Sequence, residues 1–366
     1  MRRYGPDLRS SSLLATNCMS ATRSAHRPLL DLAPTLPWVQ LADLPSPMSQ
    51  AGALPSSQTL LVKNDGDCGL CYGGNKVRKL EFLLADALGK GYSRVATIGA
   101  VGSNHALATA TWARKLGMSC EVLHFDQQPT EHVRRTLRAI VSQGAVLHHI
   151  GGVRDVPASL AFWKTRLLAR TGEDRTYFIA GGGSSAVGTL GYVNAGLEFA
   201  LQMVNSDLPA PSTLRVAAGT SGTMAGLILG LALARWTSTT VIGVRVTDAV
   251  VSNRIAVRRL LSGTKRLLEQ HGVRVPNALP VWRLDHSLFA PGYGIPTPAS
   301  EEAVRTARTL LGLQLENTYT GRTFASLLRD TSPGPHLYWH TLNQRPLEAL
   351  ICDPVPALPE AYAPYL

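Results

Sequence analysis

Short apolar runs alternate with stretches of helical period along most of this chain. Residues 59–63 read as a short strand, and the apolar runs 94–99, 120–125, 145–150, 176–180, 214–218 and 241–246 read as further strands. Between them, helical periodicity covers 104–116 (closed by Gly117), 131–142, 158–169, about 187–204, 222–234 and 251–270. Near Val281 the regularity weakens, and Pro291-Gly292-Tyr293-Gly294 reads as a loop. Two more helices, 303–311 and 324–328, precede a last strand at 336–340. Strands that are apolar throughout and separated by helices predict an α/β fold, its parallel sheet covered on both faces and its crossovers right-handed.

In such folds the chemistry gathers at the carboxyl ends of strands. After 94–99 comes Ala100-Val101-Gly102-Ser103-Asn104-His105, directly before a helix, where backbone N–H groups make an anion site. After 176–180 comes Gly181-Gly182-Gly183-Ser184-Ser185, either a close approach for a ligand or a hinge. After 214–218 comes Gly219-Thr220-Ser221-Gly222-Thr223, with hydroxyls, N–H groups and a helix start converging as for a phosphate. No Gly-Lys-Ser/Thr completes a nucleoside-triphosphate loop, so a phosphate carried by a cofactor is the simpler expectation. Ahead of these lies Gly73-Gly74-Asn75-Lys76-Val77-Arg78-Lys79-Leu80. Val77, Leu80, Leu84 and Ala87 share a helix face, with Asn75 the expected N-cap. Lys76 is then either a surface lysine in a basic turn or an amine held at a cleft, partly desolvated, as a Schiff-base lysine must be.

Composition narrows the partners. The chain has 366 residues, 45% hydrophobic and 17% charged, enough for two lobes with a sizeable core. No apolar run reaches membrane-spanning length. The net charge is +11, of which Arg2, Arg3, Arg9, Arg23 and Arg27 against Asp7 supply a share within the first 27 residues. The remaining basic residues form no stripe interleaved with aromatics, so a small anionic molecule is expected rather than nucleic acid. Residues 1–30 are Arg- and Ser-rich without an apolar core for secretion. They read as a tail, as sequence upstream of a start at Met19, or as a transit-like peptide. The five cysteines are too few and too scattered for a disulfide framework. Cys68-Gly-Leu-Cys71 has metal or redox spacing but no second pair, and two loop thiols are the simpler expectation; no metal site is expected.

The order of these motifs resembles one family. The lysine in Gly-Gly-Asn-Lys-Val-Arg-Lys-Leu-Glu-Phe-Leu, Ser103-Asn104-His105 beginning 27 residues on, the Gly/Thr/Ser loop, Gly-Tyr-Gly-Ile-Pro and Tyr-Thr-Gly together resemble the D-cysteine desulfhydrase and 1-aminocyclopropane-1-carboxylate (ACC) deaminase family, over roughly residues 36–345. The resemblance implies pyridoxal 5'-phosphate (PLP) as cofactor and the tryptophan-synthase-β fold (PLP fold type II), two-lobed with three-layer αβα sheets. It implies a homodimer in the cytoplasm acting on a small amino acid. It implies a larger lobe from 36–82 plus 199–366, a smaller lobe from 83–198, and a disordered tail at 1–35. Lys76 is implied to be the Schiff-base lysine and the base at Cα. Asn104 is implied to meet the ring oxygen, and Ser103 to handle the substrate carboxylate or a proton. Gly219, Thr220, Ser221, Gly222 and Thr223 are implied to form the phosphate cup, Tyr293 and Tyr319 to face the substrate, and Thr341 to meet the pyridine nitrogen. The deaminase branch has glutamate and leucine where this chain has Thr320 and Thr341; the desulfhydrase branch has threonines at both. A hydroxyl leaves the pyridine nitrogen largely unprotonated. That suits β-elimination of a good leaving group more than ring opening. Racemisation, β-replacement, ACC ring opening and PLP binding without turnover are the alternatives. Several substrate-side positions depart from the family pattern: Ala100-Val101-Gly102 where Gly-x-Gln is usual, Glu316-Asn317-Thr318 for Asp-Pro-Val, Arg322 for lysine, and Leu342-Asn343 for Gly-Gly.

Overall fold

Most of the apolar runs are buried from two sides, which is why polar positions do not alternate within them; the edge run at 145–150 is the most exposed. The structure, a computed structural model, describes residues 27–53 and 58–366. In chain order its main elements are α1 (Pro28–Leu32), β1 (Met48–Ala53), β2 (Thr59–Asn64), α2 (Asn75–Gly89), β3 (Arg94–Ala100), α3 (Asn104–Lys115), β4 (Ser119–Phe125), α4 (Glu131–Ser142), β5 (Val146–His149), α5 (Val156–Leu168), β6 (Thr176–Ile179), α6 (Ala186–Val204), β7 (Thr213–Ala218), α7 (Gly222–Leu233), β8 (Thr240–Arg245), α8 (Arg254–Gln270), β9 (Trp282–Asp285), α9 (Pro298–Leu311), α10 (Thr320–Leu328) and β10 (His336–His340).

Two sheets result. The larger has six strands in the order β1-β2-β10-β7-β8-β9, parallel except for the antiparallel pair β1-β2. The smaller has four parallel strands in the order β5-β4-β3-β6. Successive side chains of one strand enter different cores. Leu61, Leu337 and Trp339 pack with Leu214 and with α6, α7 and α8, while Leu60, Val62 and Tyr338 pack with α9 and α10. In the smaller sheet Cys120 and Val122 face α2 and α3, and Leu123 and Phe125 face α5. Both sheets are therefore the middle layer of an αβα sandwich.

The differences from expectation have physical causes. Strands β1 and β9 are short, lie at the two edges of the larger sheet and carry no long apolar run. Residues 27–33, expected in a tail, are folded: Leu29 and Leu30 are buried, and Arg27 pairs with the buried Glu81 at 2.6 Å beside the Trp38 ring. The remainder of that tail, with Met19 and the transit-like stretch, lies outside the described residues. The expected changeover between lobes at 198/199 falls inside α6. Leu190, Tyr192, Val193 and Phe199 of that helix sit together in the larger sheet's core. No helix among the described residues is long and apolar enough to cross a membrane.

Candidate active site

The carboxyl ends of β3, β6, β7 and β10 open onto one cleft, and α2 enters it with Lys76 in its first turn. The helix is capped by Gly74 at φ +80°, a conformation that favours glycine; a Cβ there would also lie 2.8 Å from the Thr341 carbonyl oxygen. Asn75, expected as the N-cap, is instead the first helical residue. Its Nδ2 donates to Thr223 Oγ1 at 3.1 Å and its Oδ1 accepts from Lys76 Nζ at 2.8 Å. Asn343, where the family pattern has glycine, accepts the Gly73 N–H at 2.7 Å and so ties down the turn before the lysine. Burial pulls the Lys76 amine down to about 8, against the opposing pull of the Glu316 carboxylate.

Two residues further on, Arg78 anchors α2 in a charge quartet. It donates to Asp65 at 2.8 Å and to Glu198 at 2.9 Å, and Lys63 completes the set through Glu198 at 2.5 Å. Ser46, Tyr192 and Trp339 donate the remaining hydrogen bonds to Asp65. All four charges are buried and cancel, the arrangement that makes an ionic core tolerable.

The next residue, Lys79, reaches the loop before α6. Its ammonium donates to the Gly182 carbonyl at 3.0 Å and stands 3.4 Å from Ser184 Oγ, with no carboxylate paired to it among the described residues. Burial, reinforced by the charge of Lys76, pushes its pKa well below the ordinary lysine value. A buried cation without a counter-charge lacks only an anion. The cradle for one is there: a Cβ on Gly222 would lie 2.5 Å from Ser184 Oγ and 3.0 Å from Lys79 Nζ. Thr220 Oγ1 lies 2.6 Å from Ser184 Oγ, and the Gly222 N–H points to the same hydroxyl at 3.2 Å. Ser221 caps α7 with φ +63° and turns its hydroxyl away to the buried Ser252 at 3.0 Å, so it can offer the cradle its backbone rather than its side chain. These residues fit a phosphate.

Across the cleft, Ser103 caps α3 by accepting the Ala106 N–H at 3.2 Å, and Asn104 Oδ1 accepts from the Tyr72 hydroxyl at 3.3 Å. Gly99 makes room for that cap, since a Cβ there would lie 2.4 Å from Ser103 Oγ. His105 is buried against Thr97 at 2.9 Å, its pKa pushed well down by burial and by the Lys76 and Lys79 charges.

On the larger sheet's side the Tyr293 and Tyr319 hydroxyls meet at 2.8 Å with their rings edge to face. Burial raises both phenols above their ordinary pKa. Tyr319 lies against Gly219, where a Cβ would be 3.1 Å from its ring. Arg322 holds the Tyr293 loop by donating to the carbonyls of Phe289, Gly292 and Ile295 at 3.0, 2.6 and 2.7 Å. Glu316 accepts the N–H groups of Thr318, Tyr319 and Thr320 at 2.7, 2.8 and 2.7 Å. Thr320, expected at the cofactor, is buried with its hydroxyl engaged by Glu316; it serves the start of α10. Thr341 follows β10 beside Gly74, and its hydroxyl makes no hydrogen bond among the described residues.

A lysine of lowered pKa beside an uncompensated phosphate cradle is what a pyridoxal phosphate enzyme requires, and the comparisons agree. Residues 39–335 match the family described as pyridoxal-phosphate dependent enzyme. The chain belongs to this family. It is 34% identical over 323 residues to a D-cysteine desulfhydrase of Salmonella schwarzengrund (strain CVM19633), covering 83% of this chain and 93% of that one. A crystal structure described as an ACC deaminase homologue superposes with a TM-score of 0.73 at 29% identity, covering 90% of this chain and all of the other. A fungal L-serine ammonia-lyase from Rhizomucor miehei shares the fold, with a TM-score of 0.56 at 20% identity. The chain is thus a PLP-dependent enzyme of fold type II. Lys79 joins the site without having been singled out for it, while Ser184, Glu316 and Arg322 stand out in the sequence only within loops or as departures from the family pattern. Lys79 repeats every third residue from Lys76 on the same helix, the one signal that could have found it.

Proposed function

We propose that this enzyme is a lyase that eliminates the β-substituent of a small amino acid, cysteine-like in its leaving group, to give a 2-oxo acid and ammonia. The observation that carries this is the Lys76 amine, held at a pKa near 8 between the Lys79 cradle and the Tyr293–Tyr319 pair. PLP, when bound, supplies the electron sink that acidifies the Cα proton of an attached amino acid.

Lys79, Thr220, Thr223 and the backbone of 219–223 hold the phosphate through charge and N–H groups. Lys76 would hold the cofactor, and its amine, lowered in pKa, would serve as the base for the Cα proton. Asn104 steadies the ring oxygen. The first turn of α3 with Ser103 holds the substrate carboxylate. The raised pKa of Tyr293 and Tyr319 keeps them protonated, so the pair can hand a proton to the departing β-group. The Thr341 hydroxyl, uncharged, leaves the pyridine nitrogen largely unprotonated and the sink moderate. This favours a heteroatom leaving group from Cβ over the carbon leaving group of ring opening. D-Cysteine desulfhydrase as the name of a relative with 34% identity supports the same choice. The proposed assembly is a cytoplasmic homodimer, for which sedimentation of the purified protein is the check.

The test supplies D-cysteine, β-chloro-D-alanine, their L-isomers and ACC separately. Pyruvate from a β-substituted alanine, with no 2-oxobutyrate from ACC, is the expected result. Turnover of ACC without elimination from any β-substituted alanine would reverse it, and spectral binding without product would make the protein a PLP carrier. Borohydride reduction followed by peptide mapping should find the pyridoxyl label on Lys76.

A further inference from the structure

Gly102 stands directly before Ser103, and no side chain fits there: a Cβ would lie 2.8 Å from Val133 Cγ2 and 3.2 Å from Gln127 Oε1. The space is filled by Val133 of α4 and by Gln127 from the connection between β4 and α4. Its Oε1 accepts the Gly102 N–H at 3.2 Å. Its Nε2 lies 3.7 Å from where a Cβ on Gly294 would sit, next to Tyr293 on the opposite wall. The carboxamide therefore stands between the loop that carries Ser103 and the loop that carries Tyr293, half-buried, and its Nε2 donates to nothing among the described residues. Its backbone is fixed as well. The Gln127 N–H donates to the Tyr365 hydroxyl at 3.1 Å, which donates to Asp126 at 3.2 Å, and Tyr365 packs with Tyr362, Val101 and Val133.

An amide so held, with its acceptor engaged and its two N–H groups unpartnered among the described residues between the Ser103 and Tyr293 loops, can select for a hydrogen-bond acceptor on the substrate. The α-carboxylate has donors of its own at the start of α3, which leaves the β-substituent as the group that meets Gln127. We infer that Gln127 is a specificity-determining residue, and that the favoured substrate carries an acceptor such as a carbonyl oxygen on a β-substituent that still leaves through a cysteine-like sulfur. This rests on the amino-acid site proposed above and names its substrate class.

The experiment titrates holoenzyme with D- and L-asparagine and D- and L-leucine, equal in size, followed through the cofactor's visible absorbance. Binding is read whether or not turnover follows. The wild type is expected to bind asparagine of one hand about tenfold tighter than the matching leucine, the effect of one hydrogen bond. Gln127→Glu keeps the acceptor for Gly102 but removes both donors, and should bring the ratio to about one. Gln127→Leu should do the same and also loosen the Ser103 loop; if it fails to fold, the glutamate variant decides. A wild type without preference, or a Gln127→Glu enzyme that retains it, would reduce Gln127 to a prop for Gly102. Pyruvate from β-chloroalanine is assayed in parallel. Its absence with the asparagine preference intact sinks the elimination reaction and leaves Gln127 standing; its presence without that preference sinks Gln127 alone.

Discussion

Lys76 and Lys79 lie one helical turn apart, and their different surroundings divide the work. Lys76 has a carboxylate, Glu316, within electrostatic reach; Lys79 has none and is the more strongly depressed of the two. Lys79→Met should therefore weaken PLP binding roughly ten- to a hundredfold, the loss of a hydrogen bond to a charged group, as measured by equilibrium dialysis. Lys76 gives a pH signature. Only its neutral amine attacks the cofactor's aldehyde, so the rate of reconstitution from apoenzyme should rise with pH and level off above about 8. An ordinary lysine would keep gaining to beyond pH 10. Glu316→Gln removes the group that raises this pKa, so the midpoint should move lower; an unmoved midpoint would refute the electrostatic link. Lys76, Ser103 and the 219–223 loop were legible because each sits in its own short motif. Gln127 was not, and the contacts of Ser184 and Arg322 were not, because the contacts of these three side chains reach across 25, 36 and 33 positions of chain.

At the scale of elements, α2 is the one that most needs an anchor, since its first turn carries the reactive amine. The quartet of Lys63, Asp65, Arg78 and Glu198 provides it by joining α2 to β2, α6 and, through Trp339, β10. Arg78→Leu leaves two buried carboxylates facing one lysine and should cost about 3–5 kcal/mol in chemical denaturation. Burial alone would raise the Asp65 pKa, but Arg78, Lys63 and its hydrogen bonds hold it at about 2. Its contribution is then fully present above the unfolded value near 4 and is lost as pH falls toward 2. Denaturation profiles in which Arg78→Leu loses less of its stability over that range than wild type would confirm the coupling. The strands of both sheets, β1 and β9 excepted, announced themselves through their apolar runs. The cap of α2 did not, because a polar Asn75 looks like a cap until the backbone shows Gly74 with positive φ.

For the whole molecule, the cradle joins the loops after β7 of the larger sheet and β6 of the smaller, while the Ser103 loop leans on the chain's final turn through Val101, Gln127 and Tyr365. Deleting residues 360–366 should raise KM for the amino acid roughly fivefold with PLP affinity little changed; a loss of both together would mean the two walls are not independent. The order of the larger sheet has a consequence for how the protein is made. Its strand β10 lies between β2 and β7, yet every other strand of that sheet is synthesised before it. Until it leaves the ribosome, β2 and β7 present unpaired edges to each other and to any neighbouring chain. The nascent enzyme thus passes through a stage in which the smaller sheet can already be closed and the larger one is split down its middle, open to chaperones and to aggregation alike.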